Sequence, residues 1–507
     1  MLNNVVIADI LAIFPEIILI FCASILLLCN SMRGYYVARL STLCCVISVI
    51  LACYQRYTQV VGYFWSNSIY LDASINIMRV AVLVIGALVL LNLSYVMERN
   101  KNMPYEIPVL FLLAISGVSL MLSSNDLIML YISMELVSLS ICICIAFDKG
   151  KITASEAAVK YFIFSAVASC MYLFGSSLVY GFVKSIDFQS ISNYRIPLFY
   201  SEIFANNIEI IPVLFVVGAV MILAAILFKL AIFPFHIWVS DVYQGSNIAV
   251  TAFVATVSKL GYIVVLMRLV SSTLLSVSSH VLPVITALAL TSVFIGALAA
   301  IKQRDIMRLL AYSGVSNVGF ALSAILYSKE NTSSINNVIL YLVIYVVLTL
   351  SILLSLSMLR RAANARCASG IDDTSEKDNV VCNDCSCLHH NGVGLSFESL
   401  SGISKRHPFF AGSLLISILS LMGVPPFIGF FAKVLVLSSV LAAGYYYVAI
   451  YLIIMTIVSS FYYLRIIKII YFDEFSEETT NSVVKSKIIF CILLIISIIN
   501  LGWMFFV

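Results

Sequence analysis

Stretches of about twenty almost uninterrupted apolar residues recur along nearly the whole chain, and few folds accept them. The run from Val343 to Met358, for example, is broken only by Thr and Ser. A helix crossing the roughly 30 Å hydrocarbon core of a bilayer needs about 20 such residues, because its backbone must satisfy its own hydrogen bonds there. The other spanning structure, a β-barrel, alternates polar and apolar residues over segments of about 10, and this pattern is missing. Composition agrees: 62% of the 507 residues are hydrophobic, 11% are charged, and mean hydropathy is +1.07, outside the range of soluble domains. The predicted fold class is all-α, a polytopic membrane protein.

Windows of about 19 residues mark roughly fourteen spans, beginning near Ile7, Val37, Leu71, Ile107, Leu127, Ala157, Ile208, Ile248, Leu282, Asp305, Asn336, Pro408, Tyr445 and Lys487. The first has no basic residue before it and contains Glu16 after Pro15, so it reads as a retained helix rather than a signal peptide. Lys and Arg crowd alternate loops, as at Arg33, Arg99, Lys149, Arg304, Arg360 and Lys405, while the intervening loops hold only Arg56, Lys184, Arg195, Arg268 and Lys329. The positive-inside bias therefore places the richer loops in the cytoplasm and both termini on the non-cytoplasmic side.

A net charge of +4 and the lack of a basic run interleaved with aromatics argue against a nucleic-acid partner. Most of the early cysteines, such as Cys44, Cys45 and Cys144, lie inside apolar spans, where cysteine acts as a small hydrophobe. One polar segment, 362–404, interrupts the pattern and carries Cys367, Cys382, Cys385, Cys387, His389 and His390. That spacing suits a zinc site, but a flexible cytoplasmic loop fits its Asp, Ser and Asn content equally well and is the preferred reading, so no metal is assigned. No Gly-rich dinucleotide fingerprint or iron–sulfur spacing is present, and no cofactor site is expected on this chain.

The informative residues are charges inside apolar spans, each of which costs at least about 2.5–3.5 kcal/mol at a helix centre. Glu135 stands in the middle of Leu127 to Ala146, and Lys259 in the middle of Ile248 to Leu269, too far in to snorkel. Lys229 closes an apolar run and is followed by Leu-Ala-Ile-Phe-Pro-Phe-His, where Pro234 cannot continue an ideal helix. Lys433 ends Gly-Val-Pro-Pro-Phe-Ile-Gly-Phe-Phe-Ala-Lys, a second interruption at Pro425, Pro426 and Gly429. Broken membrane helices expose backbone groups that must line a wet or protein-filled cavity, and one such break with a lysine in each half suggests inverted repeats. Three lysines against one central glutamate cannot all be paired, and burial disfavours the charged form of an unpaired lysine, so such a group can exchange a proton. Lys160 follows Glu156 at i, i+4, where a boundary ion pair and a place on a proton path are both open. His236 is either a relay or a polar group satisfied by freed carbonyls. A set of structural ion pairs is the bland alternative for these charges, and the excess of lysine speaks against it.

Met134-Glu135-Leu136, Lys160-Tyr161-Phe162, Phe228-Lys229-Leu230 through Pro234-Phe235-His236-Ile237-Trp238 to Asp241-Val242-Tyr243, and Gly423 to Lys433 resemble the antiporter-like membrane subunits of complex I, the respiratory NADH:quinone oxidoreductase. The resemblance covers nearly the whole chain apart from the insert near Cys382. A lysine rather than a glutamate at position 433 resembles the N type of these subunits, and the end of the chain at Val507 differs from the longer L type.

The resemblance implies two inverted five-helix repeats with two broken helices. The regions expected are N-terminal membrane helices (1–123), a first antiporter-like repeat region (124–270), the start of a second (271–361), the insert (362–404), the second broken helix with the end of its repeat (405–470), and a C-terminal helix (471–507). It further implies that Glu135 pairs with Lys229, that Lys259 is a central relay and that Lys433 lies toward the exit of a proton path, with Lys160 and His236 as accessory candidates. NADH, flavin, iron–sulfur clusters and quinone would belong to partner subunits, both membrane and peripheral, in a bacterial inner membrane. Two alternatives are a D-type subunit of a multisubunit sodium/proton antiporter and a structural membrane subunit that conducts nothing.

Overall fold

The computed structural model describes residues 2–28, 33–100, 103–148, 151–193, 213–273, 278–325, 332–369, 397–473 and 487–502. They form a helical bundle. Among them nine helices are long and apolar enough to cross a membrane, and five shorter apolar helices, such as Phe14–Leu28 and Lys487–Gly502, accompany them. Outward-facing side chains are themselves apolar, among them Phe21, Ile50, Phe162, Ile457 and Phe461, as suits a surface wetted by lipid tails.

Local chemistry sets several helix starts. The Asp72 carboxylate accepts from Ile75 N at 2.6 Å to open Ala73–Arg99, Asp126 does the same from Met129 N for Leu127–Ala146, and Asn247 from Ala249 N at 3.3 Å opens the next helix. Between Gly34–Tyr57 and Ala73–Arg99 the chain makes one antiparallel hairpin, Gly62–Phe64 with Ile69–Leu71. Hydropathy windows do not register strands of three residues, so this departure from an all-α reading had no signal.

The span Ile248–Ser271 is buried from Ile248 to Met267 and forms the central helix of the bundle. It packs on Ala73–Arg99, Glu106–Ser123, Leu127–Ala146, Val213–Lys229 and Thr332–Ser369. A π-helical turn, Val254–Ser258, widens it immediately before Lys259, a device common at functional sites. Ile152–Val183 and Val213–Lys229 approach at two glycines: a Cβ on Gly175 would lie 2.7 Å from the Gly218 carbonyl oxygen, and one on Gly218 2.9 Å from that of Gly175. Such small-residue contacts let membrane helices close in without a hydrophobic driving force.

Both expected breaks are present. Val213–Lys229 stops at Lys229 and resumes as Ile237–Gly245, and Pro408–Met422 stops before Ile428–Ala442. The expected insert 362–404 is shorter at both ends. Thr332–Ser369 continues as helix into it, and Phe397, Leu400 and Ile403 pack inward from two short 3-10 turns, their three-residue spacing matching that helix. The Cys382 to His390 motif lies outside the described residues.

Candidate functional site

Lys229, Lys259 and Lys433 are 6%, 2% and 8% exposed, so none of the three reaches a headgroup layer. No described carboxylate lies within ion-pair distance of any of them.

Lys229 is the last residue of its helix. The chain then turns through Ala231 at φ 59°, a conformation costly for a residue with a Cβ. The carbonyl of Phe228 freed by this turn accepts from the Trp238 indole at 3.1 Å, and Phe233 N donates to Ser292 Oγ at 3.0 Å. The break is therefore pinned by side chains from the next half-helix and from Ser278–Lys302. Its consequence is to aim the Lys229 ammonium at two hydroxyls, Ser138 Oγ at 2.7 Å and Ser165 Oγ at 2.5 Å.

This corrects one expectation. The direct Glu135–Lys229 ion pair is not formed. Glu135 is only half-buried and accepts instead from Ser169 Oγ. Ser165 and Ser169 lie one turn apart on Ile152–Val183, so a serine pair stands between carboxylate and ammonium. Serines are common in membrane helices, and only the three-dimensional arrangement distinguishes Ser138, Ser165 and Ser169 from the rest.

Lys259 is enclosed without a hydrogen-bond partner among the described residues, 5.7 Å from the centre of the Tyr243 ring. The hydroxyls of Tyr243 and Tyr262 and Nδ1 of His236 are also buried and unpartnered. Buried polar groups are nearly always satisfied, so four orphans, Lys259 among them, mark a polar interior. His236 sits between Phe233 and Tyr312, ring centres 5.6 and 6.2 Å away. Its Nδ1 has no partner, while the ring is also bonded to the Pro234 backbone at the break, so both the relay and the satisfied-polar alternative stay open.

At the second break Gly423 takes the left-handed conformation, φ 85°, and closes the half-helix through Gly423 N to Leu419 O at 3.1 Å. Lys433 Nζ donates to the freed Met422 carbonyl at 3.1 Å, placing a cation at the negative end of a helix dipole. The two breaks thus hold their lysines differently, one on hydroxyls and one on a carbonyl.

Lys160 makes both the pair expected at i, i+4, with Glu156 at 2.6 Å, and a second with Asp241 at 2.7 Å. Asp241 also accepts from Arg308 at 2.9 Å, and Arg308 Nε donates to Gln244 Oε1 at 2.5 Å. The half-helix after the first break is therefore tied to two neighbours, and Lys160 is part of that tie.

The largest charged feature that sequence reading missed is elsewhere. Arg79 and Glu16, both fully buried, pair at 2.6 Å, and Arg79 further donates to Gln55 Oε1 and Asn76 Oδ1, each at 3.3 Å, and to Ala12 O at 3.2 Å. Ser119 Oγ also donates to Glu16. This network joins five helices. Among the described residues no group of three His, Cys, Asp or Glu side chains gathers as a metal site would require.

Three buried amines with only neutral partners or none, strung between two helix breaks and a polar interior, are suited to holding and passing protons rather than to bond-making chemistry.

Residues 124–460 match the family described as NADH:quinone oxidoreductase/Mrp antiporter, TM. The chain is 33% identical over 493 residues to NADH-quinone oxidoreductase subunit N of Wolbachia sp. subsp. Brugia malayi, 96% of this chain and 95% of the relative. It is 31% identical over 463 residues to the subunit N of Methylobacterium nodulans, 91% and 88% of the two chains. Among solved structures it is similar to a chain of respiratory complex I from Thermus thermophilus, TM-score 0.75 at 22% identity over 97% of this chain and 96% of that one. A chain of the Mrp complex from Dietzia sp. is similar at TM-score 0.78, 18% identity and 98% and 94% coverage. At these identities the solved structures share the fold, and the sequence relatives narrow the choice.

Proposed function

The chain belongs to the NADH:quinone oxidoreductase/Mrp antiporter transmembrane family, and from that premise we propose that it is the proton-translocating N-type membrane subunit of a bacterial NADH:quinone oxidoreductase. Electron transfer among NADH, flavin, iron–sulfur clusters and quinone takes place in partner subunits, and this chain, with no redox group of its own, converts a change in its neighbours into proton movement. The observation that carries the reading is the set of three enclosed lysines, Lys229, Lys259 and Lys433, none with a carboxylate partner among the described residues. A membrane protein does not keep three such charges for packing.

In this mechanism Lys229 holds a proton on the Ser138 and Ser165 hydroxyls, with Glu135 one serine further on at Ser169. A shift of the neighbouring subunit that moves Glu135 changes the field at Lys229 and releases the proton toward Lys259, past the unpartnered hydroxyls of Tyr262 and Tyr243. Lys433 receives it at the second break. His236 faces the same interior and serves as an accessory relay. Moving each charge against the membrane potential costs about 2.3 kcal/mol per 100 mV, which the redox reaction supplies. Fourteen spans, both termini on the outer side, and the two repeat regions 124–270 and 271–470 complete the proposal, with the basic loops as support for the orientation.

Lys160 has a lesser place in it. An ammonium shared between Glu156 and Asp241 is an ion pair of the cytoplasmic boundary, worth about 1 kcal/mol or less at its partial exposure. Lys160→Ala is expected to leave most of the proton pumping of membrane vesicles, measured by a pH-sensitive dye. A loss as deep as that of the three buried lysines would put Lys160 on the path itself.

The subunit assignment is tested by purifying the tagged chain from its own bacterial membranes in mild detergent. NADH-oxidising activity and the peripheral redox subunits are expected to come with it. Recovery with sodium/proton antiporter subunits and no NADH oxidation would support the antiporter alternative and overturn the assignment.

A further inference from the structure

Lys259 lies on the buried central helix, and its amine meets a helix of the second half, Ile306–Ile325, at Gly314. A Cβ built on Gly314 would stand 2.6 Å from Lys259 Nζ and 3.1 Å from the Tyr345 hydroxyl. The amine and the phenol therefore share one small space, which exists because residue 314 has no side chain. Tyr345 is carried by the adjacent helix Thr332–Ser369 and is 3% exposed.

Beyond Tyr345 the second half is lined with phenols. Tyr341, one turn earlier on the same helix, donates to Asn317 Oδ1 at 3.3 Å, and Asn317 Nδ2 donates to Tyr463 at 3.2 Å. Asn317 lies three residues after Gly314 on the same helix face. A carboxamide does not hand protons on readily, so Asn317 holds Tyr341 and Tyr463 in direction and leaves the hydroxyls as the mobile groups.

We propose that protons cross from the first half of the chain to the second across one short gap, in which the Lys259 amine, seated in the space left open by Gly314, passes its proton through a bridging water to the Tyr345 hydroxyl. The ammonium proton goes to the bridging water, a proton of that water goes to a lone pair of the phenol oxygen, and the phenol's own proton leaves to an oxygen acceptor, water or hydroxyl, on the second-half side. Lys259 ends neutral, Tyr345 ends unchanged, and one proton has moved. Gly314 is a positioning residue and Tyr345 the acceptor. The inference rests on the proton-translocating function proposed above.

Gly314→Ala tests it cleanly. Alanine is the better helix former, and the atom it displaces most is the free end of a flexible lysine, so the fold accepts the change. The amine must nevertheless retreat by about 1 Å, a misplacement that can cost a relayed transfer on the order of a hundredfold. In the intact complex we expect normal assembly on a native gel, proton pumping lowered by about tenfold to a hundredfold, and a larger solvent deuterium isotope effect on pumping than in the wild type. Tyr345→Phe, which removes a single oxygen, is expected to lower pumping in the same way, and the double variant to be no worse than the more severe single one. Should Gly314→Ala fail to assemble, Tyr345→Phe still decides. Normal pumping by Tyr345→Phe, or by an assembled Gly314→Ala, overturns the crossing point. If Lys229→Ala stops pumping while these variants pump normally, only the crossing fails; if Lys229→Ala also pumps normally, the function itself fails.

Discussion

Lys229→Ala is expected to stop proton translocation through this chain while leaving the chain assembled in its complex. Two opposing effects keep the fold. Deleting a long buried side chain leaves a cavity worth about 2–5 kcal/mol, and removing a charge from the membrane interior returns at least about 2.5–3.5 kcal/mol. Ser138 keeps a bond to the Met134 carbonyl at 2.8 Å, so this hydroxyl is not orphaned by the loss of its ammonium partner. Pumping has no such compensation. Lys229 is the buried amine held on the serines beside Glu135, and losing a positioned proton carrier typically costs about 10²–10⁴ in rate. Lys229→Met, which restores the volume, is expected to assemble more fully and still not pump. A native gel separates the two properties.

Arg79→Ala is expected to show the reverse pattern, a chain that fails to accumulate. Its removal strands the fully buried Glu16 carboxylate together with Gln55 and Asn76. Breaking a buried pair from one side costs about 3–5 kcal/mol, a large part of the about 5–15 kcal/mol that holds a typical protein folded. Immunoblots of membranes should show the chain strongly depleted and complex assembly lost. The double variant Arg79→Met with Glu16→Leu should recover most of it, since replacing both members of a buried pair by apolar groups is near neutral. Full accumulation of the single variant would mean that water reaches Glu16.

The difference between these two sites also explains what could be read from sequence. Glu135, Lys229, Lys259 and Lys433 stood out because a charge within an apolar run is costly wherever its partner is, and Pro234, Pro425 and Pro426 marked the breaks because proline removes a helix donor. The answering groups carried no such mark. Arg79 lies 63 residues from Glu16, and no periodicity links them. Ser138, Ser165 and Ser169 are three serines among many, and their place between Glu135 and Lys229 depends on how Ile152–Val183 packs beside Leu127–Ala146. Gly314 matters for the side chain it lacks, and only the neighbouring Lys259 amine makes that visible. The packed turns at Phe397 to Lys405 were hidden by the polar residues around them. One-dimensional patterns reveal residues that are expensive in themselves. They do not reveal the inexpensive residues that tertiary contact makes important.

Proton uptake per NADH oxidised, recorded in inverted membrane vesicles carrying the Lys229→Ala complex at wild-type assembly, tests the central claim most directly. A path through the buried lysines predicts a proton yield well below wild type, restored by no change that leaves position 229 without a titratable group. A wild-type yield from fully assembled Lys229→Ala would contradict the account and return Lys229, with its serine partners, to the role of a packing element.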